Sequence, residues 1–531
     1  MSWHARLRGL LVLGGFVFAS VAAWAVDTEL VKKLASAETS AKVEAIEALA
    51  LAADADSLRL LTALQDGSLQ VNAAGSVVIV QGDRVLDAAT GKAMASPPGD
   101  LESITVNNRI RGRIESALSA FRLYSDDTPT RLKAAQELET SSATPAVLPI
   151  VEKALAKEQD SKIKPLLRLI KAGIDLKSTD PTVRLAAVRV LGESRQGKTQ
   201  TLLVTLLETE QVEEIRREAG YALKSIERRI AMSEYGGRLF TGLSLGSILL
   251  LAALGLAITY GLLGVINMAH GEMLMIGAYA TFVMQQMVKQ FAPAWFDWYL
   301  VMAVPFAFAC AAIVGIALER TVIRWLYGRP LETLLATWGI SLFLIQLMRQ
   351  FFGPQNVEVS NPTWMSGGIE FTNVTLPYSR IVIIAFALAV LGAMWFVLVK
   401  TRLGLLIRGV TQNRSMAACV GVNTHRVDVL AFGLGSGIAG LAGCALSQIG
   451  NVGPDLGQSY IIDSFMVVVL GGVGQLAGTV YAALGLGVAS KFLEPYIGAV
   501  PTKILILVMI IAFIQKRPQG LFALKGRAVE A

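Results

Sequence analysis

The stretch INMAHGEMLMIGA places Asn267, His270 and Glu272 in a run of apolar residues long enough to cross a bilayer. Ionisable groups at membrane depth are costly, so such positions are functional candidates by default. Asn267 is suited to cap a helix that begins here, and a helix start aimed at a cavity offers free N–H groups to a solute oxygen. His270 and Glu272 would add a donor and an acceptor. The competing reading is structural. A first span of about 26 residues, roughly 39 Å at helical rise, would carry Asn267 to the far interface, where a polar turn only caps and anchors helices. Further on, Thr337 and Ser341 share a helix face at i,i+4, with Trp338 and Gln346 nearby. They could line a passage for a small neutral amide, or bond backbone carbonyls and a neighbouring helix. No nucleophile accompanies His270 and Glu272, so an enzyme is not expected, and neither is a metal site or a cofactor.

The elements that must position these residues follow from composition. The chain has 531 residues, 53% of them hydrophobic, and a mean hydropathy of +0.53. That is too apolar for a wholly soluble protein, yet the charges crowd into the first 235 residues. Two parts are expected, one soluble and one embedded. The net charge of +7 reads as positive-inside membrane topology rather than nucleic-acid binding. A basic start with His4, Arg6 and Arg8, an apolar stretch and Ala23-Trp24-Ala25 make residues 1–25 a secretory signal, the alternative being an uncleaved anchor. Either way residues 26–235 are expected to face outward. Cys310, Cys419 and Cys444 all lie in the second part, so the exported part must hold together by packing.

That packing reads as stacked helices. The segment from Arg131 aligns with the one from Arg184 at an offset of 53 residues, Leu132, Ala134 and Leu138 matching Leu185, Ala187 and Leu191. Each is followed by a related second half, at Ile163 and at Ile215, which resembles a HEAT-like array. An earlier amphipathic pair at 40–70 would cap it, and GSVVIVQGDRVLDAATGKAM alternates as a small β-ribbon. Nothing in this part gathers a catalytic set, so it is expected to be a docking surface.

Residues 239–516 read as a polytopic helical membrane domain, followed by a cytoplasmic tail at 517–531. Eight apolar stretches are visible, at about 239–265, 268–288, 299–318, 334–351, 381–399, 427–449, 461–490 and 504–514. The loop at 353–379 has acids and no Lys or Arg, whereas that at 400–426 has Lys400, Arg402, Arg408, Arg414 and Arg426 and no acid. With the basic tail also inside, eight simple spans give the wrong parity. Splitting the seventh stretch at GGVGQLAG gives nine crossings, unless a segment enters and leaves on one face. Gly472, Gly474 and Gly478 imitate a dinucleotide turn, but no strand-helix unit or acidic ribose partner accompanies them, and no Walker motif is present. Any nucleotide energy would therefore have to come from another subunit, and a short helix at 415–420, followed by a turn at Gly421, reads equally as the element that receives its push or as an ordinary basic membrane-surface helix.

Four separated signatures carry a resemblance: that loop, GLLGVINMAHGEMLMIGAY, FMVVVLGGVGQLAG and KRPQGLF. In matching order over 239–526, they resemble the LivH-type branched-chain amino acid permeases of ABC importers. Details such as GNVGPDLGQSYIIDSFMVVVLGGVG and KFLEP are most similar to the urea permeases of the UrtB type within that family. The resemblance implies a coupling helix at Asn413, Ser415, Met416, Ala417, Ala418, Gly421 and Arg426 that meets a cytosolic ATPase. It also implies a second, LivM-type permease, two ATPase subunits and a periplasmic solute-binding protein. The expected function is import of urea across the inner membrane, with branched-chain amino acids or short amides, or a passive small-solute channel, as alternatives.

Overall fold

In the computed structural model the described residues are 26–522, apart from 53, 73–74, 83, 95–99, 141–144, 195–196 and 372–373. The expected signal at 1–25 and the tail from 523 lie outside them. The chain forms two compact units, Met1–Ile230 and Ala231–Ala531.

The first unit runs α1 (Thr28–Ala35), α2 (Thr39–Ala52), α3 (Ala55–Gln65), β1 (Leu69–Val71), β2 (Val77–Gln81), β3 (Arg84–Asp87) and β4 (Glu102–Ser103). There follow α4 (Asn108–Arg122), α5 (Thr128–Thr140), α6 (Leu148–Lys157), α7 (Ile163–Asp175), α8 (Pro181–Gly192), α9 (Gly197–Thr209) and the start of α10 (Glu213–Leu263). The expected ribbon is the β2–β3 hairpin, but β1 and β4 extend it to a four-stranded antiparallel sheet of order β3-β2-β1-β4. Those two strands span three and two residues, too few for alternation to reveal them.

The 53-residue offset is structural. Arg131 Nε pairs with Glu158 at 2.9 Å, and one of its Nη atoms donates to the Ser125 and Asp126 carbonyls. Arg184 Nε pairs with Glu210 at 2.7 Å and donates likewise to the Ser178 and Thr179 carbonyls. Each carboxylate also accepts two backbone N–H groups just beyond it, at 159–160 and at 211–212. Each arginine thus ties the entry of its first helix to the end of the next. The arginine hydrogen bond holds both carboxyls below their ordinary range. A carboxylate whose folded pKa is depressed stabilises above its unfolded pKa, and that contribution disappears as pH falls through the folded value. Glu210→Gln is therefore expected to lower the melting temperature of the first unit within the full chain by a few degrees at neutral pH and to flatten its acid dependence. Circular dichroism melts across pH would read this.

The second unit contains the remainder of α10, α11 (His270–Phe291), α12 (Tyr299–Thr321), α13 (Pro330–Phe352), a hairpin of β5 (Gly368–Phe371) and β6 (Val374–Pro377), and α14 (Tyr378–Lys400). Then come α15 (Arg402–Gln412), α16 (Arg414–Cys419), α17 (Thr424–Leu446), α18 (Leu456–Gly471), α19 (Leu476–Ile497) and α20 (Ala499–Lys516). Seven helices among the described residues are long and apolar enough to cross a membrane. The other two helices that run through the bundle are α18, of 16 residues, and α11, which is buried from His270 to Ala280 and exposed toward its C-terminus.

The centre of the bundle is built from small residues. Ala303, Ala307, Ala311 and Gly315 recur every fourth position of α12 and are buried against α17. A methyl group at Gly440 would lie 2.6 Å from the Ala307 carbonyl oxygen, and one at Gly443 would lie 1.9 Å from that of Leu274 in α11. Gly433 and Gly437 meet Ile316 and Phe308 of α12 in the same way. Association in lipid relies on this close approach, since lipid chains are as apolar as the side chains themselves.

The parity problem is resolved by a break at Gly472, whose φ is +99°, and Gly474, at +82°, which separates α18 from α19. Contacts then sort the connections to two ends. At one end Val265, Ile323 and Phe432 cluster, Arg414 reaches Tyr327, and the Leu521 N–H donates to the Leu470 carbonyl at 2.8 Å. At the other, Asp297 accepts from Thr363 at 2.9 Å, Val357 pairs with Val452, and Arg349 meets Asp455 at 2.7 Å. Loops 292–298, 353–377 and 447–455 at this second end contain no Lys or Arg, while those at the first contain Arg324, Arg329, Arg402, Arg408, Arg414 and Arg517. Nine helices alternating between the ends reproduce both the contacts and the charge distribution.

Candidate functional site

The first group of candidate residues lies inside the bundle. Helix α10 stops at Leu263, Gly264 takes φ +71°, and residues 264–269 turn back between the helices without helical structure. His270 opens α11 beside Ala252, its Nε2 lying 3.2 Å from that carbonyl oxygen. Ala252 is 11 residues short of the end of α10, or about 16 Å at helical rise. The first span ends at Leu263, within two residues of the expected end, but the expectation that it delivers Asn267 to the interface is corrected: the chain turns back into the bundle. Irregular backbone at such depth is tolerated where protein covers it. Here Asn267, Ala269, His270 and Glu272 are all fully or almost fully buried.

Helix α13 tethers this re-entrant segment. Thr337 Oγ1 accepts the Met268 N–H at 3.1 Å and donates to the Thr333 carbonyl at 2.8 Å. Ser341 Oγ donates to Glu272 Oε1 at 2.8 Å, and Ser341 is the central residue of α13. The expected pairing of Thr337 with Ser341 on one face therefore holds, and each bonds the segment before or at the start of α11. Trp338 and Gln346 do not join them. Trp338 is 52% exposed and Gln346 is also exposed, because a helix turns about 100° per residue and carries them to other faces. Asn267 is not the N-cap of α11 either. Its Oδ1 accepts the Ala269 N–H at 3.1 Å, and Ala269 occupies the cap without a side-chain bond, since a further turn intervenes before the helix.

Three buried atoms here have no partner among the described residues: Asn267 Nδ2, His270 Nδ1 and Glu272 Oε2. Gly457 at the start of α18 faces the last of these, and a methyl group there would sit 2.8 Å from Glu272 Oε2. Unsatisfied buried polar atoms are rare because each costs about 1–3 kcal/mol. Three within six residues, beside a helix start, concentrate unmet hydrogen-bonding capacity at this point of the bundle.

The second group forms an arm at the arginine-bearing end. Asn413 Oδ1 caps α16 by accepting the Met416 N–H at 2.9 Å, and Asn423 Oδ1 caps α17 through the Arg426 N–H at 3.1 Å. Gly421 supplies the turn between them with φ +87°. Met416 is 61% exposed and Val420 74%, flanked by exposed Ser415, Ala418 and Arg426, while Ala417 packs inward. An anchor absent from the sequence reading holds this arm. Arg414 pairs with the fully buried Asp428 of α17, and its guanidinium lies 4.8 Å from the centre of the Tyr327 ring. Burial pushes the Tyr327 hydroxyl above its ordinary pKa, so it remains neutral beside the pair. Asp428 was detectable in principle, as the single acid in the apolar run of α17.

Residues 238–514 match the sequence family described as branched-chain amino acid transport system, permease component. The chain belongs to this family. Among its relatives is the high-affinity branched-chain amino acid transport system permease protein BraD of Pseudomonas aeruginosa, 30% identical over 54% of this chain and 95% of the relative. LivH of Salmonella typhimurium is 29% identical over 54% of this chain and 94% of its own length. A probable LivH of Methanocaldococcus jannaschii is 24% identical over 52% and 88%. No solved structure gives a significant match. The family consists of transport components, so the chain is a membrane permease subunit and not an enzyme.

Proposed function

We propose that this chain is a permease subunit of an ATP-driven importer for branched-chain amino acids. The observation that carries the reading is the family match, which covers nearly the whole length of relatives named for that cargo. Urea, which finer details of the sequence resemble, is not named for those relatives, so the branched-chain reading, held above as the alternative, is the better supported. The cytosolic ATPases dock on the exposed Met416–Val420 arm, in line with its position at the arginine-rich end. The second permease and the periplasmic solute-binding protein complete the assembly, and lipid covers the exposed faces of α13, α14 and α20. The first unit stands in the periplasm. In the transport cycle the station at Asn267, His270, Glu272 and Ser341 offers a carboxylate oxygen and two nitrogens to the polar end of the cargo as it passes the middle of the bundle.

The test is uptake of labelled leucine by the complete transporter in vesicles, with urea and acetamide as competitors. ATP-dependent leucine accumulation that excess urea leaves unchanged is the expected result. Accumulation of urea alone would keep the importer and replace its cargo, and flux independent of ATP would replace the importer by a channel. In the same assay Glu272→Gln, which keeps the acceptor for Ser341 but removes the charge, is expected to lower uptake about tenfold with assembly intact, equivalent to about 1.4 kcal/mol.

A further inference from the structure

A second polar feature lies away from the mid-bundle station. A cavity of about 230 Å³ opens between α10, α18, α19 and α20, toward the end that carries the acidic loops. That end is fixed by Arg238 of α10, which reaches the Tyr496 hydroxyl of α19 at 3.4 Å. The volume lies below the roughly 300–1,000 Å³ of drug-sized sites and suits a small metabolite. One part of the wall is aliphatic, with Leu245, Leu249, Met466, Leu486 and Ile506. The other carries two ion pairs: Lys503 with Asp463 at 3.0 Å, and Lys491 with Glu494 at 2.6 Å.

We propose that this cavity binds a free zwitterionic amino acid with a branched aliphatic side chain, ahead of its passage through the bundle. The two ammonium groups and two carboxylates leave the wall without net charge, so it favours neither an anion nor a cation. A guest carrying both charges can separate Lys503 from Asp463 and give each a new partner, whereas an uncharged amide that separated them would leave the largely buried Asp463 carboxylate without its cation. The aliphatic side chain then lies against Leu245, Leu249 and Ile506, worth roughly 0.8 kcal/mol for each buried methylene. Asp463 is the anchor of the pair, at 15% side-chain exposure against 57% for Lys503, so the lysine is the partner free to swing toward an incoming carboxylate. The hydroxyls of Ser490 and Thr502 donate to carbonyls of their own helices, which leaves their lone pairs for the guest's ammonium.

This inference rests on the amino-acid reading above, and its test separates the two. The complete transporter, with its solute-binding protein, is assayed for leucine uptake as wild type, Lys503→Met and Asp463→Asn, in vesicles with and without phosphatidylethanolamine. That lipid shares the chemistry, an ammonium beside an anion with apolar chains. Wild-type leucine uptake together with a KM raised tenfold or more in both variants, in both lipids and with kcat retained, is the expected result. Restoration by Asp463→Lys combined with Lys503→Asp would strengthen it. If wild type takes up no leucine, the function itself fails. If it does while both variants keep the wild-type KM, the cavity proposal alone is overturned. A defect seen only with phosphatidylethanolamine would assign the cavity to a lipid headgroup and equally overturn it.

Discussion

Asp428→Arg is expected to reduce ATP-coupled uptake to background. The substitution places two arginines where Arg414 now meets a carboxylate without solvent exposure, and it does so at the root of the arm proposed to receive the ATPase. Breaking a buried ion pair by removing one partner costs roughly 3–5 kcal/mol, because the remaining charge stays desolvated. Arg414 is 41% exposed, so the cost belongs near or below the lower limit. The arm contributes few other inward contacts. Helix α16 has six residues, of which Ala417 is the buried one, and without the pair the packing of Ala417 and the stacking of Arg414 on Tyr327 are left to fix its direction. A push on a loosely held arm is absorbed locally. With the pair intact, it reaches α17 and through the glycine contacts α11 and α12. Exchanging the charges, Arg414→Asp with Asp428→Arg, should recover a measurable part of the uptake, while Met416→Ala at the tip leaves the fold unchanged. The checks are uptake, co-purification of the ATPase, and ATP hydrolysis without transport, the last of which identifies uncoupling. Wild-type uptake by Asp428→Ala would show that the anchor transmits nothing.

What the sequence made legible was whatever repeats or persists over many residues. The 53-residue offset emerged as two copies of one arginine–carboxylate clamp, and the apolar stretches emerged as helices. The glycines of α17 gave close crossings, and GGVGQLAG gave a chain break. In each of these, local composition and final structure depend on the same property. The candidate site was legible only as a set of residue types. Its depth was not: the end of the first span was legible to within two residues, but nothing local announces that residues 264–269 then fold back into the bundle. The cap expected of Asn267 failed because α11 starts two residues later than the cap required, at His270 with Ala269 as its cap. Trp338 and Gln346 were grouped with Thr337 and Ser341 by proximity in sequence, whereas a helix separates neighbours and joins residues four apart. Long-range pairs such as Arg414 with Asp428, or Lys503 with Asp463, required the fold itself.

The glycines of α17 support a graded prediction, with Gly443 at its severe end. A methyl group at Gly443 would stand 1.9 Å from the Leu274 carbonyl oxygen and 2.9 Å from the Ala278 nitrogen, both of them backbone atoms of α11. Backbone inside a packed helix cannot rotate aside, so even Gly443→Ala must push α11 and α17 apart, and Gly443→Leu is expected to yield no folded permease. Overpacking a core commonly costs about 1–3 kcal/mol when side chains can adjust, and here the obstacle has no such freedom. Gly437 provides the intermediate case. Its added methyl would meet the Phe308 ring at 2.5 Å, and a ring can tilt, so Gly437→Ala should remain folded with a lowered melting temperature. At Gly485 in α19 an added methyl would have no neighbour within 4 Å, and Gly485→Ala should be neutral or stabilising by up to about 1 kcal/mol through helix propensity. Uptake should follow the same order and fall more steeply than stability at Gly443. Helix α11 also carries Glu272 to Ser341, and a shift of about 1 Å separates a 2.8 Å hydrogen bond from a broken one. Melting temperature and leucine uptake for the three alanine variants would check the order. Equal behaviour at Gly443 and Gly485 would remove close helix approach as the reason for the glycines.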